Sequence, residues 1–247
     1  MHARKSLGQH FLMHARIAER IADTAKLALD AVVLEIGPGT GVLTRALLTR
    51  AKKVIAVEAD AGLAQKLEKE FAREITEGRL ELVFADIRLF DLTKLPRGYS
   101  VVANIPYYLT GDILRKLLSA HNQPLSMTLL VQKEVAERIA RSKKESLVSL
   151  SVKVYGTPKY EFTVPRGAFV PAPKVDSAVL SIRDISRAHF ENRKIEEHFF
   201  TLIRAGFAHK RKLLAGNLKT AGLQIPPGPK KERAEDLKLA DWLKFSK

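Results

Sequence analysis

The chain has 247 residues and is 46% apolar, enough for one large domain or for one large and one small. Its 42 Lys and Arg against 27 Asp and Glu give a net charge of +15, which favours a polyanionic partner, nucleic acid ahead of an anionic membrane surface. The absence of cysteine excludes disulfides and thiolate metal sites. The opening residues lack the apolar core of a signal peptide, and no run approaches the roughly 18 to 20 apolar residues of a membrane span. A soluble, cytoplasmic protein is expected.

In chain order, residues 14–29 read as an amphipathic helix, with Ile17, Ile21 and Leu27 set against Arg16, Glu19, Arg20 and Asp23. "AVVLEIG" is a strand ending in glycine, "VLTRALLTRA" a helix, "KVIAVEAD" a second strand and residues 61–75 a second helix of the sheet region. "RLELVFAD" and "YSVVANIP" are further strands. "TGDILRKLLSA" is a helix with Thr110 as a candidate cap, "LSMTLLVQ" a fifth strand, and residues 133–141 a helix. Strands alternating with helices predict a doubly wound α/β sheet covered on both faces. "SLVSLSVKVYG" and "DSAVLSIR", with only loop between them, predict two edge strands and a total of seven. From about residue 185 the chain reads helical and basic. Residues 1–185 are therefore taken as the large domain, and residues 186–247 as a small helical domain contacting nucleic acid.

Open parallel sheets bind ligands beyond the carboxyl ends of their strands. Four groups sit at such ends. The first is "GPGTG", with Gly37, Gly39 and Gly41 between a strand and a helix. It is not the dinucleotide fingerprint, whose third glycine comes one residue later, where Val42 stands. It suits a methyltransferase loop holding S-adenosylmethionine. The second is Glu58, placed to accept from both ribose hydroxyls, with Asp60 as a nearby competitor. The third is Asp86, placed to accept from an adenine amino group beside the apolar Ile87. The fourth is Asn104-Ile105-Pro106-Tyr107. An exocyclic amino group is a poor nucleophile because its lone pair is delocalised. The Asn104 side-chain oxygen and the Ile105 carbonyl could accept its two hydrogens and favour a tetrahedral nitrogen. Pro106 fixes the local backbone, and Tyr107 offers a ring face to a flipped base. The cofactor methyl would then pass in line to the amino nitrogen.

"LGQHFL", "EIGPGTGVLT", "NIPY", "FVPAPKVDSAVL" and the basic "FFTLIRAGFAHKRKLLAGNL" occur in that order. Over roughly residues 4–220 the chain resembles the ribosomal RNA adenine N6,N6-dimethyltransferases that modify small-subunit rRNA. The resemblance implies a seven-stranded methyltransferase sheet, S-adenosylmethionine as cofactor, and small-subunit rRNA or its precursor particle as partner. It implies cofactor contacts at His10, Leu12, Gly37, Glu58, Asp86 and Asn104, and places Phe169 at the target adenine opposite Tyr107. Tyr108, Leu109 and Thr110 depart from the family's usual residues after "NIPY", and His10 stands where Asn is common. Tyr108 is expected to fill the core rather than wall the site.

No metal is predicted, since the seven histidines show no ligand spacing, and no general base is expected. "ARSKKES" and "AHKRKLL" are the stretches expected to meet RNA phosphates, together with Arg4 and Lys5. Residues 183–247 hold 15 Lys and Arg against 8 Asp and Glu, a net +7. A monomer is expected. The alternatives are a large-subunit rRNA adenine methyltransferase of the antibiotic-resistance type and a non-catalytic RNA-binding assembly factor.

Overall fold

The computed structural model describes residues 10–225 and 231–246. Arg4 and Lys5 lie outside them. The strands are β1 (Phe11–Leu12), β2 (Val32–Ile36), β3 (Lys53–Glu58), β4 (Leu80–Phe84), β5 (Ser100–Asn104), β6 (Ser126–Gln132), β7 (Thr157–Val164), β8 (Phe169–Val170) and β9 (Ser177–Arg183). The helices are α1 (Ala15–Thr24), α2 (Val42–Leu48), α3 (Ala61–Glu70), α4 (Ala72–Thr76), α5 (Thr110–Leu118), α6 (Lys133–Ala140), α7 (Leu147–Lys153), α8 (Arg193–Gly206), α9 (Leu214–Thr220) and α10 (Leu239–Ser246).

Seven strands form one sheet in the order β4-β3-β2-β5-β6-β9-β7. The first five run parallel, and β9 is antiparallel to both its neighbours. Central strands such as "VVLEI" are almost wholly apolar because helices cover both faces. The pleat divides the core. Leu34, Ile36, Val101 and Ala103 face α5, α6, α7 and the C-terminal helices. Val33, Val54, Ala56 and Val102 face α1, α2 and the end of α3. The first of these cores is continuous into the C-terminal region, joining Leu150, Val152 and Tyr155 to Phe199, Ile203, Leu218 and Trp242.

Several expectations are corrected. "SLVSLSVKVYG" holds α7, not a strand. Its apolar residues alternate at 148, 150, 152 and 154, which mimics a strand, but a capping box starts a helix there. Ser146 Oγ accepts from Ser149 N–H at 3.2 Å, and Ser149 Oγ accepts from Ser146 N–H at 2.7 Å. The seventh strand is instead β7, read from sequence as loop. Pro158 and a bulge between Tyr160 and Phe162 break its alternation, and both are tolerated because β7 is an edge strand. Residues 61–75 split at Phe71 into α3 and α4, and the first helix stops at Thr24. Thr110 is the first residue of α5 and not its cap; its hydroxyl donates to the Tyr107 carbonyl at 3.0 Å.

Gly206 tests the packing of the C-terminal helices. A Cβ there would stand 2.4 Å from Trp242 Cη2 and 3.0 Å from Leu214 Cδ1. Gly206→Ala should cost about 1–3 kcal/mol, lowering the melting temperature by roughly 2–4 °C per kcal/mol. Gly216→Ala, in α9 with open space around it, should stabilise by about 0.5–1 kcal/mol. Thermal unfolding of both variants checks the pair.

Candidate active site

The parallel strands deliver their last residues to one edge, where His10, Phe11, Gly37, Gly39, Glu58, Asn104, Ile105, Pro106 and Tyr107 line a single pocket. Of the residues expected there, Leu12, Gly41, Asp86 and Phe169 do not line it.

Glu58 ends β3 and is 5% exposed. Its Oε2 accepts from Gly39 N–H at 3.1 Å and its Oε1 from Asp60 N–H at 2.9 Å. Burial raises its pKa, opposed by these backbone donors. Glu58 and Asp60 sit in different surroundings. Asp60 caps α3, accepting from Gly62 and Leu63 N–H, while Glu58 faces the pocket.

The glycines divide by role. Gly37 has φ +66° and no atom within 4 Å of a notional Cβ, so its backbone is open to a ligand. Gly39 supplies its N–H to Glu58. Gly41 packs instead: a Cβ there would lie 2.6 Å from the Phe71 ring.

Asp86 stands two residues beyond β4, with its carboxylate gripped by Arg88. Arg88 Nε donates at 3.1 and 3.0 Å, its Nη2 at 2.6 Å, and its backbone N–H at 2.8 Å. The Arg88 hydrogen bond is the largest cause holding the Asp86 pKa below the usual carboxylate range. Ile87 beside it is 6% exposed and belongs to the larger core cluster.

Asn104 ends β5, and its Nδ2 donates to the His10 carbonyl at 3.0 Å. That commits the amide nitrogen to the N-terminal strand and leaves Oδ1 as the acceptor. His10 is itself tied through Nδ1, 2.7 Å from the Pro171 carbonyl. A carbonyl only accepts, so Nδ1 carries the hydrogen. The strand pair β1–β8, with Leu12 opposite Phe169, holds this segment over the glycine loop. Both Leu12 and Phe169 are buried, in the core cluster beneath α1 and α2.

Ile105 is 1% exposed and its N–H donates to the Leu130 carbonyl at 3.2 Å. Pro106 has φ −54°. Tyr107 opens a short 3-10 turn, Tyr107–Leu109. Its hydroxyl lies 2.6 Å from Ser177 Oγ, and its ring sits 5.6 Å from the His10 ring at 31°. Burial raises the phenol pKa, so Tyr107 is neutral at pH 7. Tyr108 does not fill the core as expected. It is 56% exposed, because the turn gives its inward directions to Tyr107 and Leu109.

A family model described as Ribosomal RNA adenine dimethylase matches residues 1–242. The chain belongs to this family. The "Ribosomal RNA small subunit methyltransferase A" of Dehalococcoides mccartyi is 38% identical over 260 residues, covering 98% of this chain and 87% of that relative. The protein of the same description from Fusobacterium nucleatum is 39% identical, covering 89% and 83%. Among solved structures, a dimethyladenosine transferase from Plasmodium falciparum superposes with a TM-score of 0.80 at 28% identity, covering 96% of each chain. The 23S rRNA methyltransferase ErmE gives 0.76 at 26%, covering 96% and 98%.

The sequence reading missed Glu35, whose signal was a lone acid inside "VVLEIG". It is 1% exposed, and neither carboxyl oxygen has a hydrogen-bond partner. Burial, opposed by the nearby Thr44 hydroxyl and reinforced by the Glu58 charge, pushes its pKa to about 8. Glu58, a buried carboxyl group lining the pocket beside an open glycine backbone, fits a ligand that carries hydroxyl donors. This is the chemistry of S-adenosylmethionine, the cofactor of the family's reaction.

Glu35 also sets a pH dependence of stability. It titrates near 4.5 when unfolded and about 8 when folded. Its neutral form is the favoured one in the fold, so the contribution is full below about pH 4.5 and is lost as pH rises through 8. The slope approaches about 1.4 kcal/mol per pH unit between those values. Denaturant titrations of the cofactor-free protein from pH 5 to 8 should show the decline, and Glu35→Gln should flatten it.

Proposed function

We propose that the protein transfers methyl groups from S-adenosylmethionine to N6 of adenosines in small-subunit rRNA, two per adenosine. The observation that carries this reading is the meeting of Glu58, Asn104 and Tyr107 in one pocket at the strand ends. The membership of the ribosomal RNA adenine dimethylase family narrows the acceptor to an rRNA adenine. The relatives at 38–39% identity described as small-subunit enzymes favour that subunit.

When bound, S-adenosylmethionine supplies an electrophilic methyl group on a sulfonium. In the proposed site, Glu58 holds the ribose hydroxyls through the lone pairs its two backbone bonds leave free. Asp86 accepts from the cofactor's adenine amino group once the Arg88 fork gives way. His10, Leu12, Gly37, Gly39 and Gly41 complete that side, Leu12 and Gly41 acting by shaping the backbone around it. For the target base, Asn104 Oδ1 and the Ile105 carbonyl accept the two amino hydrogens and draw the nitrogen toward tetrahedral geometry. Pro106 holds that peptide, and Tyr107 stacks the base. Phe169 acts from beneath, through the buried β1–β8 pair that seats His10. The sulfonium leaves without needing a proton, and the amino nitrogen sheds its own to water.

The basic side chains of the C-terminal region orient the rRNA through its phosphates. Lys210, Arg211 and Lys212, exposed in the turn between α8 and α9, suit this best. In "ARSKKES" the basic groups are partly spent within the protein: Arg141 lies over the Tyr160 ring, and Lys144 pairs with Glu235. The division proposed from this is residues 1–185 for catalysis and 186–247 for RNA contact. No helix among the described residues is long and apolar enough to cross a membrane. We place the protein in the cytoplasm, acting as a monomer on small-subunit rRNA or a precursor particle.

Purified protein should transfer tritium from S-adenosyl[methyl-³H]methionine to small-subunit rRNA lacking the modification, with dimethyladenosine as the product by mass spectrometry. Transfer to large-subunit rRNA alone would favour the antibiotic-resistance type, and binding without transfer an assembly factor. Asn104→Ala should keep the melting temperature near wild type and lower kcat by at least about 10²-fold, the scale of losing one oriented transition-state contact. Glu58→Ala should weaken cofactor affinity, measured by calorimetry, and also lower stability by leaving the Gly39 and Asp60 N–H groups without their partner.

A further inference from the structure

Tyr108 is an aromatic ring in water, next in the chain to Tyr107, which lines the pocket. A 3-10 turn completes a revolution in 3.0 residues, so the three side chains of Tyr107–Leu109 point in three directions. Tyr107 turns to Ser177, and Leu109 enters the core at 8% exposure. Tyr108 takes the remaining direction and is 56% exposed. The ring contributes little to folding there, so its presence calls for another account.

The surroundings favour a nucleotide. Gly111 leaves open space above the start of α5, with nothing within 4 Å of a notional Cβ. Arg88 lies within Coulombic range of Tyr108. Lys116 Nζ reaches the Arg88 carbonyl at 3.0 Å, and Arg115 is exposed on α5. Asp86 and Asp112 pair with Arg88 and Arg115, leaving Lys116 as the excess positive charge of the group. Leu89, next to Arg88, is 85% exposed and adds apolar surface. Adjacent Cα atoms are about 3.8 Å apart, which puts the two tyrosines within one nucleotide step of each other.

We propose that Tyr108 is a second stacking platform, which holds the unpaired base adjacent to the target adenosine. The inference rests on the rRNA reading above and adds to it a contact with the flanking nucleotide. Stacking of this kind tolerates any base, because each has a π-face. Tyr108 therefore strengthens RNA binding and selects for unpaired context, with no part in cofactor binding or methyl transfer.

The test uses the full chain as wild type, Tyr108→Ala and Tyr108→Phe. Substrates are small-subunit rRNA fragments with 2-aminopurine on the 5′ or the 3′ side of the target adenosine. Tyr108→Ala should raise the RNA KM about 5- to 100-fold, the range of one lost base stack. The cofactor KM should stay within about twofold, and Tyr108→Phe should behave as wild type. Wild type and Tyr108→Phe should quench the probe at one of the two positions on binding, and Tyr108→Ala should not. An unchanged RNA KM in Tyr108→Ala, quenching that survives this substitution, or a Phe variant as impaired as Ala overturns the inference. A wild-type protein that methylates no rRNA sinks the preceding assignment. An active wild type with an unaffected Tyr108→Ala sinks this inference alone.

Discussion

One carboxylate fixes the architecture of the pocket. Glu58 bonds the Gly39 N–H on one loop and the Asp60 N–H on another, so the turn after β2 and the turn before α3 are registered against the same side chain. Both N–H groups lie where water is largely excluded, and a buried donor left without a partner costs about 1–3 kcal/mol. The burial that makes those bonds valuable also raises the Glu58 pKa. Each carboxylate oxygen still has a lone pair to offer. The group that holds the loops is thus the group that offers acceptors to a ligand, and the site cannot be loosened without altering its recognition.

A second dependence runs through the N-terminal strand. An amide can present either end to a pocket, and the end decides whether Asn104 donates or accepts. The His10 carbonyl settles the matter, since it can only accept, and it draws Nδ2 toward itself. Its own position follows from the Pro171 contact and from the two-residue pairing of β1 with β8. The oxygen left free on Asn104 is therefore oriented by residues 94 positions upstream and 67 positions downstream of it. Phe169 belongs to this second arrangement: it is buried beneath the strand it supports.

The central sheet was legible because its strands are apolar runs separated by amphipathic helices, and the place of the candidate pocket followed from the rule that ligands gather at the strand ends. Glu58 and Asn104 end β3 and β5 as read. Legibility failed where local chemistry overrode periodicity. The serines at 146 and 149 start a helix in a stretch whose apolar residues alternate, and Pro158 with a bulge disguises β7. Long-range facts were not legible at all. Nothing local to Asn104 names His10 as its partner, nor to Phe169 its burial. Glu35 was visible as an acid in a strand, but its importance lies in lacking a partner, which requires all of its neighbours to be placed.

The distribution of charge separates two kinds of recognition. The chain carries +15, and such a field draws RNA to the surface from any direction, with an affinity that weakens as salt rises. Beneath that surface lie three acids: Glu58 lines the pocket, Asp86 pairs with Arg88, and Glu35 is buried in β2. A carboxylate such as Glu58 disfavours phosphate in the pocket. A polyanion attracted by the surface is thereby disfavoured in the pocket, which can still admit an uncharged base. Glu35 sharpens the distinction. In the empty fold burial keeps it protonated at neutral pH. A positive charge held nearby would favour its ionised form and release a proton.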